Sequence, residues 1–296
     1  MHPLKKSNTN AMNQEWTEAK CLWWSEKRYT YHKKYMVFDF RTMSTQNKIN
    51  INQLIRNWPD GVVYTQRYLS SLGYYHDLVR RYKKSQWIEP VGRGAYKKFG
   101  GSVNFMGGIH AVQKQLGLSI YPGGRTALEW QGYAHYIRFR QRCFLFGKTG
   151  QSLPKWFYDA EWEETFTYHQ TNLFSASDVG LTEYKQMRFS LTISAPERAA
   201  LEMCYLIPKF QGFDEAEKIM NGLRALRPKL VQDLLESCKS IKAKRLFLYL
   251  ADHSRAPWFK GLTLDKIDLG KGKRMIVKNG KYDAKYQISV PEIPEL

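Results

Sequence analysis

Residues 44–98 read STQNKININQLIRNWPDGVVYTQRYLSSLGYYHDLVRRYKKSQWIEPVGRGAYKK, and this stretch decides the fold. Ile49, Leu54, Ile55 and Trp58 recur at helical spacing and predict a first helix. Pro59-Asp60-Gly61 breaks it. Val62, Val63 and Tyr64 give a short extended segment. Thr65 is placed to cap a second helix carrying Tyr68, Leu69 and Leu72, which Gly73 ends. A third helix is expected from about Tyr75 to Ser85, with Leu78, Val79 and Tyr82 on its packed face. Residues 87–98 then read as a hairpin with Arg93 at the tip, in a Gly92-Arg93-Gly94 turn. Helix, strand, two helices and hairpin in that order predict a winged helix-turn-helix whose third helix reads DNA.

The side chains left over from packing are basic. The third helix carries His76, Arg80, Arg81, Lys83 and Lys84 beside its apolar positions. Candidate contacts to double-stranded DNA are these five, Thr65 and Arg67 on the second helix, Arg93 at the wing tip, and Lys97 and Lys98 on the returning strand. A cation at a wing tip suits phosphate or minor-groove contact. The competing reading is a winged helix used for protein contact, with its cations simply solvated.

Working outward, the charge is uneven. The chain of 296 residues carries 46 Lys and Arg against 27 Asp and Glu, net +19. Residues 44–101 hold 10 cations and 3 anions, net +7. Residues 102–238 hold 15 and 14, net +1. Residues 239–285 hold 13 and 4, net +9. Two basic blocks around a neutral one imply two surfaces for polyanions. In the second block the candidate polyanion contacts are Lys242, Lys244, Arg245, Lys271, Lys273, Arg274 and Lys278. Lys242, Lys244 and Arg245 are expected to point outward from a helix whose apolar face is Leu246, Tyr249 and Leu250.

Length allows two domains, and the expected class is α+β. Residues 1–42 form an extension, expected to be flexible; 43–101 are the winged helix; 102–296 are a larger mixed α/β domain with scope for two lobes. Gly100-Gly101 reads as the linker. A helix is expected over residues 104–116, and strands over 136–140 and 142–146, paired with each other. Ser194, Pro196 and Glu197 read as a capping box opening a helix. Asn279-Gly280 predicts a hairpin between strands near 274–277 and 286–290. No apolar run approaches the roughly 20 residues of a membrane span. The opening Met-His-Pro-Leu-Lys-Lys-Ser has no apolar signal core behind it, so a cytoplasmic protein with no membrane partner is expected. The four cysteines are far apart and predict neither a zinc site nor a disulfide framework.

Catalytic motifs are weak. Gly147-Lys148-Thr149 resembles the end of a phosphate loop, but Arg142 stands where its first glycine belongs. Asp159 with Glu183 and Lys185 could form a metal-dependent nuclease site, although residues 181–183 are expected in a loop. E-x-K is frequent by chance, so no enzyme, metal or cofactor is expected.

Four stretches carry a family resemblance: the winged helix with WIEPVGRGAYKK, then YPGGRTALEWQGYAHYI at 121–137, SAPERAALEMCY at 194–205, and residues 242–291. Over 44–290 the chain resembles AbiEi-type antitoxins of bacterial abortive-infection, type IV toxin–antitoxin systems. The resemblance implies a winged helix that represses its own operon by binding inverted repeats in the promoter. It also implies a C-terminal domain that neutralises a nucleotidyltransferase-like toxin. Two alternatives remain beside it: the nuclease, and a plain regulator with a ligand-sensing C-terminal domain and no toxin.

Overall fold

The computed structural model describes residues 50–133, 142–176, 178–186, 188–278 and 280–291. The chain divides into two compact units, 1–50 and 51–296, and the second is described here by itself. The extension 1–42, Ile49, the expected strand 136–140 and Asn279 lie outside the described residues.

The unit starts as its sequence predicts. Helix α1 (Ile51–Asn57) buries Leu54 and leads to Trp58, which is 1% exposed. The Trp58 indole N–H donates to the Val62 carbonyl at 2.8 Å, and its ring stacks on Tyr64 at 4.0 Å. Strand β1 (Tyr64–Thr65) runs into α2 (Gln66–Ser71), capped by the Thr65 hydroxyl, which accepts from the Tyr68 N–H. Gly73, at φ +91°, turns the chain toward α3 (His76–Lys84). Strands β2 (Ile88–Gly92) and β3 (Ala95–Lys98) follow. The three strands form one antiparallel sheet in the order β1-β3-β2. Leu54, Trp58, Val62, Tyr64, Leu69, Tyr74, Val79 and Ile88 make a small core of their own. Leu72, expected on the packed face of α2, is 44% exposed.

Gly100-Gly101 is not a linker. The Gly101 N–H bonds back to the Lys98 carbonyl, and the chain then packs directly on what precedes it. Helix α4 (Phe105–His110) sets Gly107 so close to Gly61 that an added Cβ would lie 1.9 Å from the Gly61 carbonyl oxygen. The expected single helix over 104–116 changes pitch at His110 and continues as a π-helical turn, Ala111–Gln115. This turn ties the first elements to the rest. The Gln115 amide bonds the Val63 carbonyl and the Thr65 N–H, while Gln113 bonds the Ile120 and Thr192 backbones.

Strands β4 (Ile120–Pro122), β5 (Arg142–Gly147) and β6 (Thr165–Gln170) form a second sheet in that order. β4 pairs antiparallel and β6 parallel with β5, so β5 has described partners on both sides. Helix α5 (Gly124–Trp130) follows β4, and α6 (Lys155–Asp159) follows β5. Strands β7 (Leu181–Lys185) and β8 (Ser190–Ser194) form an antiparallel pair; residues 181–183, expected in a loop, are strand.

Four helices complete the core: α7 (Pro196–Leu206), α8 (Phe213–Gly222), α9 (Pro228–Ser237) and α10 (Ile241–His253). α7 packs against α5, α8, α9 and α10 and is buried almost throughout. The capping box expected at its start does not form. Ala195 is the cap residue and makes no side-chain bond; the Ser194 hydroxyl goes to Glu202 and the Glu197 carboxylate to Arg227. Tertiary partners displace the local pairing because a buried carboxylate needs several strong donors.

The chain ends in a small sheet of β9 (Arg274–Met275), β10 (Lys281–Asp283) and β11 (Ile288–Val290), ordered β10-β11-β9. Its hairpin is not the expected one. β11 lies between the others and runs parallel to β9, so Gly280 joins strands that never pair. The actual hairpin joins β10 to β11, its turn held by the Tyr286 N–H on the Asp283 carboxylate at 2.7 Å.

Candidate nucleic-acid interface

Helix α3 has room for one packed face. Val79 is buried, and Leu78 and Tyr82 are half-buried against the small core. At 3.6 residues per turn Arg80 and Lys84 fall opposite these, with His76 and Arg81 to either side. His76, Arg80, Arg81, Lys83 and Lys84 are all exposed. Arg80 is paired with Asp77 at 2.5 Å on the open surface, where both side chains are more than three-quarters exposed. Such a pair is weakly held and yields to a better anion. Arg81, Lys83 and Lys84 have no ion pair among the described residues. Arg67 on α2 is exposed as well.

The β2–β3 hairpin projects beside this helix. Arg93 at its tip is exposed, and Gly94 takes φ +78° with open space around it. The base of the hairpin is fixed: a Cβ on Gly92 would lie 2.8 Å from Trp156 of α6. Arg93 therefore stands on a rigid support while its side chain meets solvent.

Three expected contacts are corrected. Thr65 is 2% exposed; its hydroxyl caps α2 and its N–H bonds Gln115 at 2.8 Å, so it offers nothing to a ligand. Lys97 is half-buried and paired across the hairpin with Glu89 at 3.0 Å. Lys98 is half-buried and bonds Asp60 at 2.7 Å, and this ammonium holds the Asp60 carboxyl below its ordinary range. Lys97 ties the two strands of the hairpin together, and Lys98 fastens the hairpin to the turn at Asp60.

The second basic block splits in two. Lys244 and Arg245 are each 2% exposed, contrary to the outward orientation expected of them. The Arg245 guanidinium donates to the carbonyls of Leu269, Gly270, Gly272 and Gln287 at 2.6–3.2 Å. Lys242 is half-buried, and its ammonium donates to the carbonyls of Tyr205 and Ile207. By contrast Lys271, Lys273 and Lys278 are exposed, and Arg274 is half-buried. Lys273 lies 4.8 Å over the Tyr282 ring, and Tyr282 and Met275 are exposed beside it. This gives a cationic and aromatic surface on the terminal sheet.

The sequence reading missed a buried polar cluster. Glu202 on α7 accepts from the Gly124 N–H at 3.0 Å, Ser194 at 2.7 Å, Arg198 at 2.9 Å and the Tyr121 hydroxyl at 3.2 Å. Arg198 also bonds Tyr121 and the Val179 carbonyl, and lies over the Phe174 ring. Burial, then the neighbouring Glu202 charge, pushes the Tyr121 phenol far up and keeps it neutral. The residues of the nuclease alternative sit apart in the fold's order, Asp159 closing α6 and Glu183 and Lys185 on β7. Among the described residues no group of three His, Cys, Asp or Glu side chains could hold a metal ion.

No curated protein sequence matches the chain. Among solved structures it is similar to the RV2827C protein of Mycobacterium tuberculosis. The two share 15% identity over 80% of this chain and 88% of that one, with a TM-score of 0.56, a likeness of fold. Residues 47–139 match the family model of the AbiEi antitoxin N-terminal domain, described as a transcriptional regulator. Residues 140–291 match the adjoining model, described as a transcriptional regulator, AbiEi antitoxin of type IV toxin–antitoxin systems. Matched without a gap from residue 47 to residue 291, the chain belongs to the AbiEi antitoxin family.

Proposed function

We propose that residues 51–98 are a winged helix-turn-helix that binds inverted repeats in the promoter of the protein's own operon. In this reading α3 enters the major groove and the β2–β3 wing brings Arg93 to phosphate or the adjacent minor groove. The functional domain boundary lies near residue 101, and residues 102–296 neutralise a nucleotidyltransferase-like toxin. The observation that carries the reading is the outer face of α3. Arg80, Arg81, Lys83 and Lys84 are exposed together on nine residues, and one acidic group, Asp77, is among them. The membership in a family of transcriptional regulators supports it.

The test is operator binding by the Arg80→Ala, Arg81→Ala, Lys84→Ala triple variant. All three side chains are exposed, so the fold is expected to be unchanged. Each lost phosphate contact lowers the slope of log affinity against log salt by about 0.9. A lost base-reading arginine costs about 1–3 kcal/mol. The expected result in a gel-shift assay is loss of operator binding at moderate salt. Unchanged affinity and salt slope would remove α3 from the interface.

A further inference from the structure

A cavity of about 190 Å³ lies away from the surfaces described above. It opens where the parallel strands β5 and β6 end, so that Gly147-Lys148 and Thr171-Asn172 leave the sheet side by side on its rim. In α/β sheets the crevice outside the carboxyl ends of parallel strands is where ligands bind. The opposite rim is Lys239, from the junction of α9 and α10. Its N–H donates to the Leu173 carbonyl at 2.8 Å, and the Ser175 N–H donates to Ser237 at 3.1 Å, so the two rims are stitched together. The floor is the Tyr121–Arg198–Glu202 cluster.

The chemistry of the lining is selective. Lys148 and Lys239 are exposed and have no ion pair among the described residues. Arg198 adds a third cation from below, 3% exposed. Two carboxylates also line the cavity, Glu202 and Asp178. The Glu202 charge is already met by four donors, so at the rim the two lysines face one remaining carboxylate, Asp178, and the balance there is positive. Thr171 and Asn172 offer neutral hydrogen-bonding groups, and Phe174 and Leu181 an apolar wall.

We propose that this cavity binds a small organic phosphate of single-nucleotide size. The phosphate meets the two ammonium groups in charge-assisted hydrogen bonds. Asn172 and Thr171 bond the hydroxyl-bearing part, Asp178 accepts from its donors, and the apolar wall takes its flat part. The cavity is smaller than the roughly 300–1,000 Å³ of drug-sized sites, so nothing larger than a single nucleotide is accommodated, and part of that nucleotide lies outside the cavity mouth. A ligand here joins the ends of β5 and β6 to the α9–α10 junction, and thereby stabilises the C-terminal part of the molecule.

The experiment is calorimetric titration of the full chain with AMP, GMP, CMP, UMP and inorganic phosphate, in parallel with the Lys148→Ala, Lys239→Ala double variant. Circular dichroism first establishes that the variant is folded, as expected for two exposed positions. The expected result is saturable binding of at least one nucleotide, one per chain, tighter than phosphate alone and weakened at least about tenfold in the double variant, a loss of about 1.4 kcal/mol. Three results overturn the proposal: no saturable binding by any nucleotide up to about 10 mM, binding undiminished in the double variant, or phosphate binding as tightly as every nucleotide.

Discussion

Glu202 is where two of the stretches that carry the family resemblance meet. YPGGRTALEW supplies Tyr121, Gly123 and Gly124; SAPERAALEMCY supplies Ser194, Arg198 and Glu202 itself. Gly123 faces the carboxylate so closely that a Cβ there would lie 2.2 Å from its oxygen. The sequence showed the residues but not the association. Ser194 and Glu197 sit at capping-box spacing, and the local reading pairs them. Their real partners lie outside the local turn, Ser194 on Glu202 and Glu197 on Arg227, and Glu202 in turn bonds Gly124, 78 positions away; no periodicity reports such contacts. The cluster makes a direct prediction. Glu202→Ala leaves the Arg198 guanidinium buried without its carboxylate, which costs about 3–5 kcal/mol. Replacing both, as Arg198→Met with Glu202→Leu, removes the orphaned charge and costs less than the single change. Urea unfolding of both variants measures this. A single variant within about 0.5 kcal/mol of the parent would mean that the cluster is incidental.

Helix α10 shows what the sequence can and cannot give for one element. Its span was legible, since Leu246, Tyr249 and Leu250 recur at helical spacing and Ser240 caps it, accepting from the Ala243 N–H. Its orientation was not. The amphipathic reading assumes that one face meets water, but residues 243–251 are all buried. α7 covers one side, and the loop before β9 covers the side that Arg245 occupies. Arg245 is therefore a strut: its planar fork reaches four backbone carbonyls that nothing aliphatic could satisfy. Arg245→Met keeps much of the volume but removes the guanidinium donor from four part-buried hydrogen bonds, at about 1–3 kcal/mol. Hydrogen exchange should locate the damage. Amides of residues 269–290 should exchange faster, while those of 51–98 keep their protection. Unchanged exchange at 269–290 would show that the loop holds itself.

Across the molecule, counting charges along the chain located two basic regions correctly but could not say which charges reach solvent. α3 keeps its cations outside because the helix is short and packs by one face. In the second block Lys242, Lys244 and Arg245 are taken up by the fold, and Lys271, Lys273 and Lys278 remain outside with Lys281. Truncation is a poor way to separate the two regions. A fragment starting at residue 102 loses Gly61 and Gly92, on which Gly107 and Trp156 pack, and loses the Val63 and Thr65 backbone that Gln115 bonds. Surface charge reversal avoids this. The exposed lysines of the terminal sheet are proposed to meet the toxin or the nucleic acid on which it acts. Their self-repulsion opposes folding unless an anion offsets it. Lys271→Glu, Lys273→Glu and Lys278→Glu together should leave the fold and operator binding intact, because none of the three is buried or ion-paired among the described residues. Protection of cells co-expressing the toxin proposed as its partner should fall sharply, with the protein at parental abundance. If protection holds and operator binding is lost, the terminal sheet belongs to the DNA interface and neutralisation must come from the neutral middle of the chain.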